Sequence, residues 1–135
     1  MAVVNEILKE ENNCLCFGNY LVQEKQKLEN FDFNGDKYKV KTHNEITRLE
    51  KNDLLLLETV PGSTIHKFTM NDTDINFEAE GFENTQITLD LEPNQNYKLE
   101  INNVVIGVTK SNPFGKFSFS LNLSSQPSVI KIKKV

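Results

Sequence analysis

A chain of 135 residues with 38% hydrophobic residues is long enough to form one domain with a buried core. Its net charge of −4 and its single arginine, Arg48, argue against nucleic acid as a partner, because arginines make most of the bidentate contacts to phosphate and guanine. No apolar run approaches the roughly 20 residues of a membrane helix, and the first residues do not form a secretion signal. The sequence therefore predicts a cytoplasmic protein with no membrane segment.

The first two thirds of the chain alternate between short strand-like segments and turn signals, beginning with a predicted first strand over residues 2–10. Asn34 with Gly35, and Asn52 with Asp53, predict hairpin turns, because these residues tolerate the positive φ of tight turns. The segment 20–29 contains helix formers, but its strand-like neighbours favour an exposed strand over a short helix. The run 54–57 is four leucines without alternation, which indicates a strand covered on both faces or an element near a contact.

The last third of the chain has the clearest strand patterns. Residues 97–101 and 116–123 alternate apolar and polar side chains, and Asn102 with Asn103 predicts a turn before the apolar run 104–108. The whole chain contains about eleven short strands, with turn signals about every 8–12 residues. This pattern predicts a single-domain antiparallel β-sandwich over residues 1–135, immunoglobulin-like or jelly-roll-like, with little or no helix.

The charge is distributed unevenly along the chain. Residues 1–93 contain nine basic and eighteen acidic residues, whereas residues 94–135 contain six basic residues and one acidic residue. Such a chain can pair its charges internally, which is the default expectation, or attract another copy or an anionic partner. The residues that we expect to mediate self-association are the unalternated leucines and the C-terminal lysines: Leu54, Leu55, Leu56, Leu57, Lys131, Lys133 and Lys134.

Two patterns could in principle bind a metal ion. Cys14 and Cys16 point to the same side of a strand, but two cysteines fall short of a zinc site, even if a histidine could join them in space. The segment 71–74, Asn-Asp-Thr-Asp, lacks the glycine and the distal acid of a calcium loop and is also typical of a tight turn. We therefore expect packing cysteines, a turn, no metal site and no cofactor.

The sequence contains no assembled catalytic motif. Neither His43 nor His66 lies near a Gly-x-Ser-x-Gly nucleophile elbow, and the alternation around His66 predicts that it faces solvent. Glycoside hydrolysis would require a pair of carboxylates. The acidic residues that alternate with apolar neighbours all read as the solvent-facing side of strands: Glu45, Glu58, Glu78 and Glu80.

Carbohydrate binding is the alternative that the aromatic residues leave open. Phe114 follows Pro113 in a loop, and Tyr97 begins an alternating strand. An apolar ring outside a strand could contact a sugar, contact a partner chain, or close the end of the sandwich. Of these three roles for Phe114, closing the end of the sandwich is the one that we expect.

Several segments resemble a known family. The segments 33–42, 44–52, 58–62 and 86–88 are similar to small proteins of anaerobic Gram-positive bacteria that are automatically labelled endosialidase or endosialidase-like. The C-terminal segments 97–102 and 115–121 resemble immunoglobulin-like end modules of polysaccharide-degrading enzymes, which are usually non-catalytic. The resemblance implies a stand-alone β-sandwich. Sialidases hold the substrate carboxylate with several arginines, and this chain has only Arg48.

From these observations we expect a non-catalytic protein that acts through self-association or through a protein partner. A carbohydrate-binding module is the alternative, with a glycan as the ligand. A glycoside hydrolase is the least favoured of the three hypotheses.

Overall fold

The structure, a computed structural model, describes residues 7–135 as thirteen strands, with no helix in that range. The strands, numbered in chain order, are β1 (Leu8–Glu11), β2 (Cys14–Phe17), β3 (Gln26–Phe33), β4 (Asp36–Thr42), β5 (Thr47–Lys51), β6 (Leu54–Val60), β7 (Ser63–Met70), β8 (Asp74–Gly81), β9 (Asn84–Asp90), β10 (Asn96–Ile101), β11 (Val104–Lys110), β12 (Lys116–Asn122) and β13 (Ser128–Lys134).

The strands form two antiparallel sheets. Sheet A has seven strands in the order β1-β2-β7-β8-β13-β10-β11, and sheet B has six in the order β12-β9-β6-β5-β4-β3. This arrangement confirms the predicted all-β sandwich. The number of described strands is thirteen rather than about eleven.

Two predicted segments differ from the structure. The first predicted strand, 2–10, is seen only from Leu8, and residues 1–6 lie outside the described residues. In the segment 20–29, residues 20–25 form turns and bends, and the strand begins at Gln26 and continues to Phe33. The prediction of a strand rather than a helix is therefore correct only for the last four residues of that segment, 26–29.

The core lies between the two sheets and contains the predicted alternating residues. From sheet A, Phe77 and Ile130 face inward, and from sheet B, Leu57 and Leu89 do so, with all four at most 2% exposed. Burial of each such side chain contributes about 1.5–3 kcal/mol to folding. The outward-facing positions between them are polar or charged along most strands, as the alternation predicts.

Asparagine residues make the tight turns. Asn34, Asn52 and Asn102 all have positive φ, at 51° each. Asn and Asp enter this region at lower cost than other residues with a side chain, because their short polar groups can bond locally. The three predicted hairpin turns are thereby confirmed.

A β-bulge explains the four leucines of β6. Leu49 pairs with Leu57 and Glu50 pairs with Leu55, so Leu56 is an extra residue in the pairing of β5 with β6. Because a bulge interrupts the alternation of side chains, Leu56 and Leu57 are both buried, at 8% and 0% exposure. Two of the four leucines therefore belong to the core, and the run is not covered on both faces, because Leu54 is 69% exposed.

Buried hydroxyl groups link the two sheets at one end of the sandwich. Thr47 of β5 donates to the carbonyl of Ser63 of β7 at 2.9 Å and accepts the Ser63 N–H at 3.0 Å. Thr42 and Thr59 join the same group through hydroxyl contacts of 2.8 Å to Thr47 and 2.7 Å to Ser63. All four residues are fully buried, so each polar group that is removed from water is hydrogen-bonded, as stability requires.

A search of residues 7–135 for a helix with the length and apolar character of a membrane span finds none.

Candidate interaction edge on strand β11

Strand β11 combines a free sheet edge with exposed apolar side chains. It pairs with β10 on one side and ends sheet A on the other, with no further strand beside it among residues 7–135. Val104, Val105, Ile106 and Val108 are 60%, 55%, 58% and 58% exposed. A free edge presents unpaired backbone N–H and C=O groups, which can pair with another strand.

Strand β11 is exposed on both faces because sheet B ends before it. The edge strand of sheet B is β12, and its Phe117 packs against Tyr97 of β10 with 5.5 Å between ring centroids. Strand β12 therefore lies across β10, one strand short of β11. Every residue of β11 except Gly107 is exposed, in agreement with this offset.

The pairing with β10 assigns the β11 side chains to faces. Val104 pairs with Ile101, whose side chain packs against the core, so Val104 lies on the inner face beyond the edge of sheet B. Val105 pairs with Glu100, so its side chain lies on the outer face. Directly paired residues in an antiparallel sheet share a face, so apolar surface is present on both sides of the strand.

The other three sheet edges are shorter or more polar than β11. Strand β1 is four residues long and contains Lys9, Glu10 and Glu11. Strand β3 is interrupted by a bulge and is mostly charged or polar, and β12 alternates its core residues with serines and an asparagine. Short length, charge and bulges are the usual means of blocking edge pairing. Strand β11 has a bulge at Ile106, but no charge before Lys110.

Two of the four leucines predicted to mediate self-association are unable to contact another copy. Leu56 and Leu57 lie in the core, which leaves only Leu54, at 69% exposure, and the partly exposed Leu55 at the surface. The prediction for Leu56 and Leu57 is wrong, because the bulge turns both side chains inward.

The C-terminal lysines lie on β13, next to β10. Lys134 donates to Glu92 at 2.8 Å, and this contact raises the pKa of Lys134 above its usual value. Lys131 and Lys133 are exposed on the outer face. One of the three lysines is thus paired within the chain.

The two aromatic candidates have opposite surroundings. Phe114 is 82% exposed, so it does not close the end of the sandwich as expected. Its backbone N–H is held by Asn112 Oδ1 at 2.9 Å, which presents the ring at the tip of the loop before β12. Tyr97 is 2% exposed and its hydroxyl accepts the Glu92 N–H at 3.2 Å. Tyr97 is therefore a core residue and cannot contact a sugar.

Of the residues considered for metal binding or catalysis, Cys16, His66 and Glu80 come together on sheet A, whereas His43 and the segment 71–74 lie elsewhere. Within residues 7–135 there is no group of three His, Cys, Asp or Glu residues that could hold a metal ion. Asn71 Oδ1 accepts the N–H groups of Thr73 and Asp74 at 2.9 and 2.8 Å, so the segment 71–74 forms a turn between β7 and β8. His43 lies in the loop after β4.

Two of the side chains expected to face solvent are largely buried. The side chain of His66 is 17% exposed and that of Glu80 is 2% exposed, and His66 Nε2 lies 2.7 Å from Glu80 Oε1. Both side chains do lie on the outer face, as their phase in the strands predicts. Neighbouring residues cover both side chains, and the alternation of residues within one strand gives no information about such neighbours.

Sequence reasoning identified the run 104–108 as apolar but not as a sheet edge. The signal available in the sequence is a run of four β-branched residues with no charge between them, which differs from the alternation of the other strands. Strand order decides which strands are edges, and one sequence does not give that order.

The chain matches no protein-family model, and neither the comparison with curated proteins nor that with solved structures gives a significant match.

Proposed function

We propose that this chain is a non-catalytic β-sandwich protein that acts by associating with a second copy of itself through strand β11. The observation that carries the proposal is the uncharged edge formed by Val104, Val105, Ile106 and Val108, each more than half exposed. The free thiols Cys14 and Cys16 support a reducing, cytoplasmic location as part of the same proposal.

The β11 sequence suits antiparallel pairing with an identical strand. A two-fold axis at Gly107 places Ile106 of each copy opposite Val108 of the other. These are pairs of β-branched residues, which stabilise adjacent strands. Two seven-stranded sheets then join into one continuous sheet across the contact.

The charges near β11 are compatible with this pairing. In the register centred on Gly107, Lys110 of one copy lies opposite Val104 of the other, so no like charges are directly opposed along the strand. Lys98 and Glu100 of β10 pair in register with Val108 and Val105 and flank the contact from the outer face. We therefore expect apolar contacts and backbone hydrogen bonds, rather than ion pairs, to stabilise the dimer.

The contact is small enough to be reversible. A seven-residue strand extends about 23 Å, and an interface of one strand per copy falls at the low end of the range for specific complexes, below about 1,200 Å² in total. We therefore expect the fraction of dimer to depend on protein concentration.

Amide hydrogen exchange tests which edge forms the contact. The proposal expects slower exchange across residues 104–110 at high protein concentration than at low concentration, because pairing supplies partners for the free edge. Peptides from β12, the edge of sheet B, serve as the internal control and should exchange alike at both concentrations. Equal exchange of β11 at all concentrations, or slowing at β12 instead, contradicts the proposal.

Glycan binding is a second candidate function, and one observation supports it. Phe114, at 82% exposure, presents an apolar ring in a loop that Asn112 orders. Aromatic rings pack against the apolar faces of sugars. A glycan array tests this candidate: saturable binding that Phe114→Ala abolishes supports it, and an array without signal eliminates it.

A further inference from the structure

A polar cluster on the outer face of sheet A lies apart from β11. It consists of Cys16 on β2, His66 on β7, Glu80 on β8 and Tyr20 in the segment after β2. Cys16, Glu80 and Tyr20 are at most 5% exposed. The self-association proposed above uses none of these residues.

A β-bulge places His66 beside Cys16. Leu15 pairs with Phe68 and Phe17 pairs with Ile65, so the single residue Cys16 lies opposite two residues of β7, His66 and Lys67. Lys67 has a φ of 57°, a conformation that a lysine adopts only at some cost in energy. Bulges of this kind change the direction of a side chain and recur beside functional sites.

Glu80 and Tyr20 fix the orientation of the His66 ring. His66 Nε2 lies 2.7 Å from Glu80 Oε1, and the Tyr20 hydroxyl donates to Glu80 Oε2 at 3.0 Å. An ionised carboxylate only accepts hydrogen bonds, so Nε2 carries a proton and Nδ1 is left to accept one. The arrangement of a thiol, a histidine and a carboxylate that orients the histidine is the one that activates a cysteine nucleophile.

The electrostatics of the cluster agree with its geometry. The hydrogen bond with His66 lowers the pKa of Cys16, and the hydrogen bond with Cys16 raises the pKa of His66, with a further contribution from Glu80. Burial is the largest cause that raises the pKa of Tyr20, to about 12, and the contact with Glu80 adds to it. Tyr20 therefore remains a neutral hydrogen-bond donor at physiological pH.

The charged side chains on the strands around the cluster form ion pairs with one another. On β1, Lys9 pairs in register with Cys16 and forms an ion pair with Glu11 at 3.1 Å, and Glu11 weakly opposes the charge on the sulfur. On β7 and β8, Lys67 is paired with Glu78 at 3.3 Å. His66 is thus the cation that balances a Cys16 thiolate.

One further polar group at the cluster lacks a partner. Thr64 precedes His66 by two residues on the same face of β7 and pairs in register with Glu80. Its hydroxyl is buried and has no hydrogen-bond partner among the described residues. An unsatisfied buried hydroxyl is rare, and here it lies two residues from the histidine that faces the thiol, on the same face of β7.

We propose that Cys16 is a thiolate nucleophile held by His66 and Glu80, and that it forms a mixed disulfide with small disulfide-containing molecules. The Cys16 sulfur attacks one sulfur of the small disulfide, a new S–S bond forms, and the original S–S bond breaks. The departing thiolate takes the proton from His66, which returns to neutral imidazole. The modification is stoichiometric, so it does not make the protein an enzyme.

The test uses the folded Cys14→Ser protein, in which Cys16 is the only cysteine. Thiolate ultraviolet absorbance is followed against pH, and oxidised glutathione is the probe for mixed-disulfide formation, read by intact mass. Each unit by which the Cys16 pKa lies below that of a free thiol gives about tenfold more thiolate at neutral pH, offset about threefold by weaker nucleophilicity. We therefore expect the rate at neutral pH to fall on His66→Gln, by about threefold for each unit by which the pKa of Cys16 rises.

Matched variants separate the chemistry from damage to the fold. Glu80→Gln keeps the size and the hydrogen bond to Tyr20 but removes the charge, and it should move the thiolate titration to higher pH. Lys67→Arg keeps the charge beside the cluster and should leave the titration unchanged. Near-ultraviolet circular dichroism verifies that each variant is folded.

Two results would overturn the proposal. One is a thiolate titration at the pH of a free thiol that His66→Gln does not change, because His66 then holds no thiolate. The other is a low-pH thiolate that gives no mixed disulfide in the folded protein, because the cluster is then a closed ion pair without access for a reagent.

Discussion

Val105→Lys is the substitution that most selectively tests the β11 contact. Val105 pairs in register with Glu100, so a lysine there gains an opposite charge within its own sheet. Because Val105 is 55% exposed, its replacement changes the free energy of folding by at most about 0.5 kcal/mol. In the dimer, by contrast, two valines lose apolar contacts and two ammonium groups approach the partner strand.

The cost to association follows from the remaining exposure of Val105. Full burial of a valine contributes about 1.5 kcal/mol, and roughly half of this is still to be gained by pairing. Two symmetry-related sites lose about 1.5 kcal/mol, and ordering two lysines brings the total to about 2 kcal/mol. This corresponds to a dissociation constant about 30-fold weaker.

Sedimentation equilibrium over a range of concentrations measures this change directly. Phe114→Lys is the matched control, because it makes the same apolar-to-lysine change at an exposed site outside β11. We expect wild-type association in the control and about 30-fold weaker association in Val105→Lys. An unchanged dissociation constant in Val105→Lys would refute the assignment of the contact to β11.

Three other measurements test the fold, the cluster and the alternative function. Leu57→Ala should lower the free energy of unfolding in urea by about 2–5 kcal/mol, because Leu57 is fully buried. Leu54→Ala should change it by less than about 0.5 kcal/mol, because Leu54 is 69% exposed. Equal effects of the two substitutions would contradict the bulge. The pKa of Tyr20 is raised to about 12 in the folded protein. Its contribution to stability is therefore present below its unfolded pKa of 10 and is lost as the pH rises towards 12. Tyr20→Phe should flatten this loss of stability, and an unchanged pH profile would count against the buried contact with Glu80. Phe114→Ala should leave the melting temperature unchanged, because the ring is 82% exposed, and a large drop in the melting temperature would show that the ring closes the end of the sandwich after all.

Local patterns in the sequence predict the fold class well. The alternation in residues 97–101 and the turn at Asn102 depend on backbone geometry and side-chain phase, both of which act over a few residues. The four leucines of β6 were misinterpreted because the bulge at Leu56 is defined by the pairing with β5. A single strand does not reveal how its partner aligns with it.

The candidate sites depend on long-range arrangement and were largely missed. Tyr20 and Glu80 are sixty residues apart in the chain, and only the strand order brings them into contact. Burial of Glu80 depends on Tyr20, which packs edge-on against Phe82 at 4.9 Å. The exposure of β11 likewise follows from the position of β12 across β10.

Absolute mass by light scattering after size-exclusion, at low and at high salt, tests the central proposal most directly. The β11 contact contains apolar side chains and backbone groups, which salt does not screen. We predict a concentration-dependent mass that approaches twice the 15.5 kDa of one chain, equally at both salt concentrations. A mass of 15.5 kDa at the highest concentration, or a dimer that dissociates in high salt, would contradict self-association through β11.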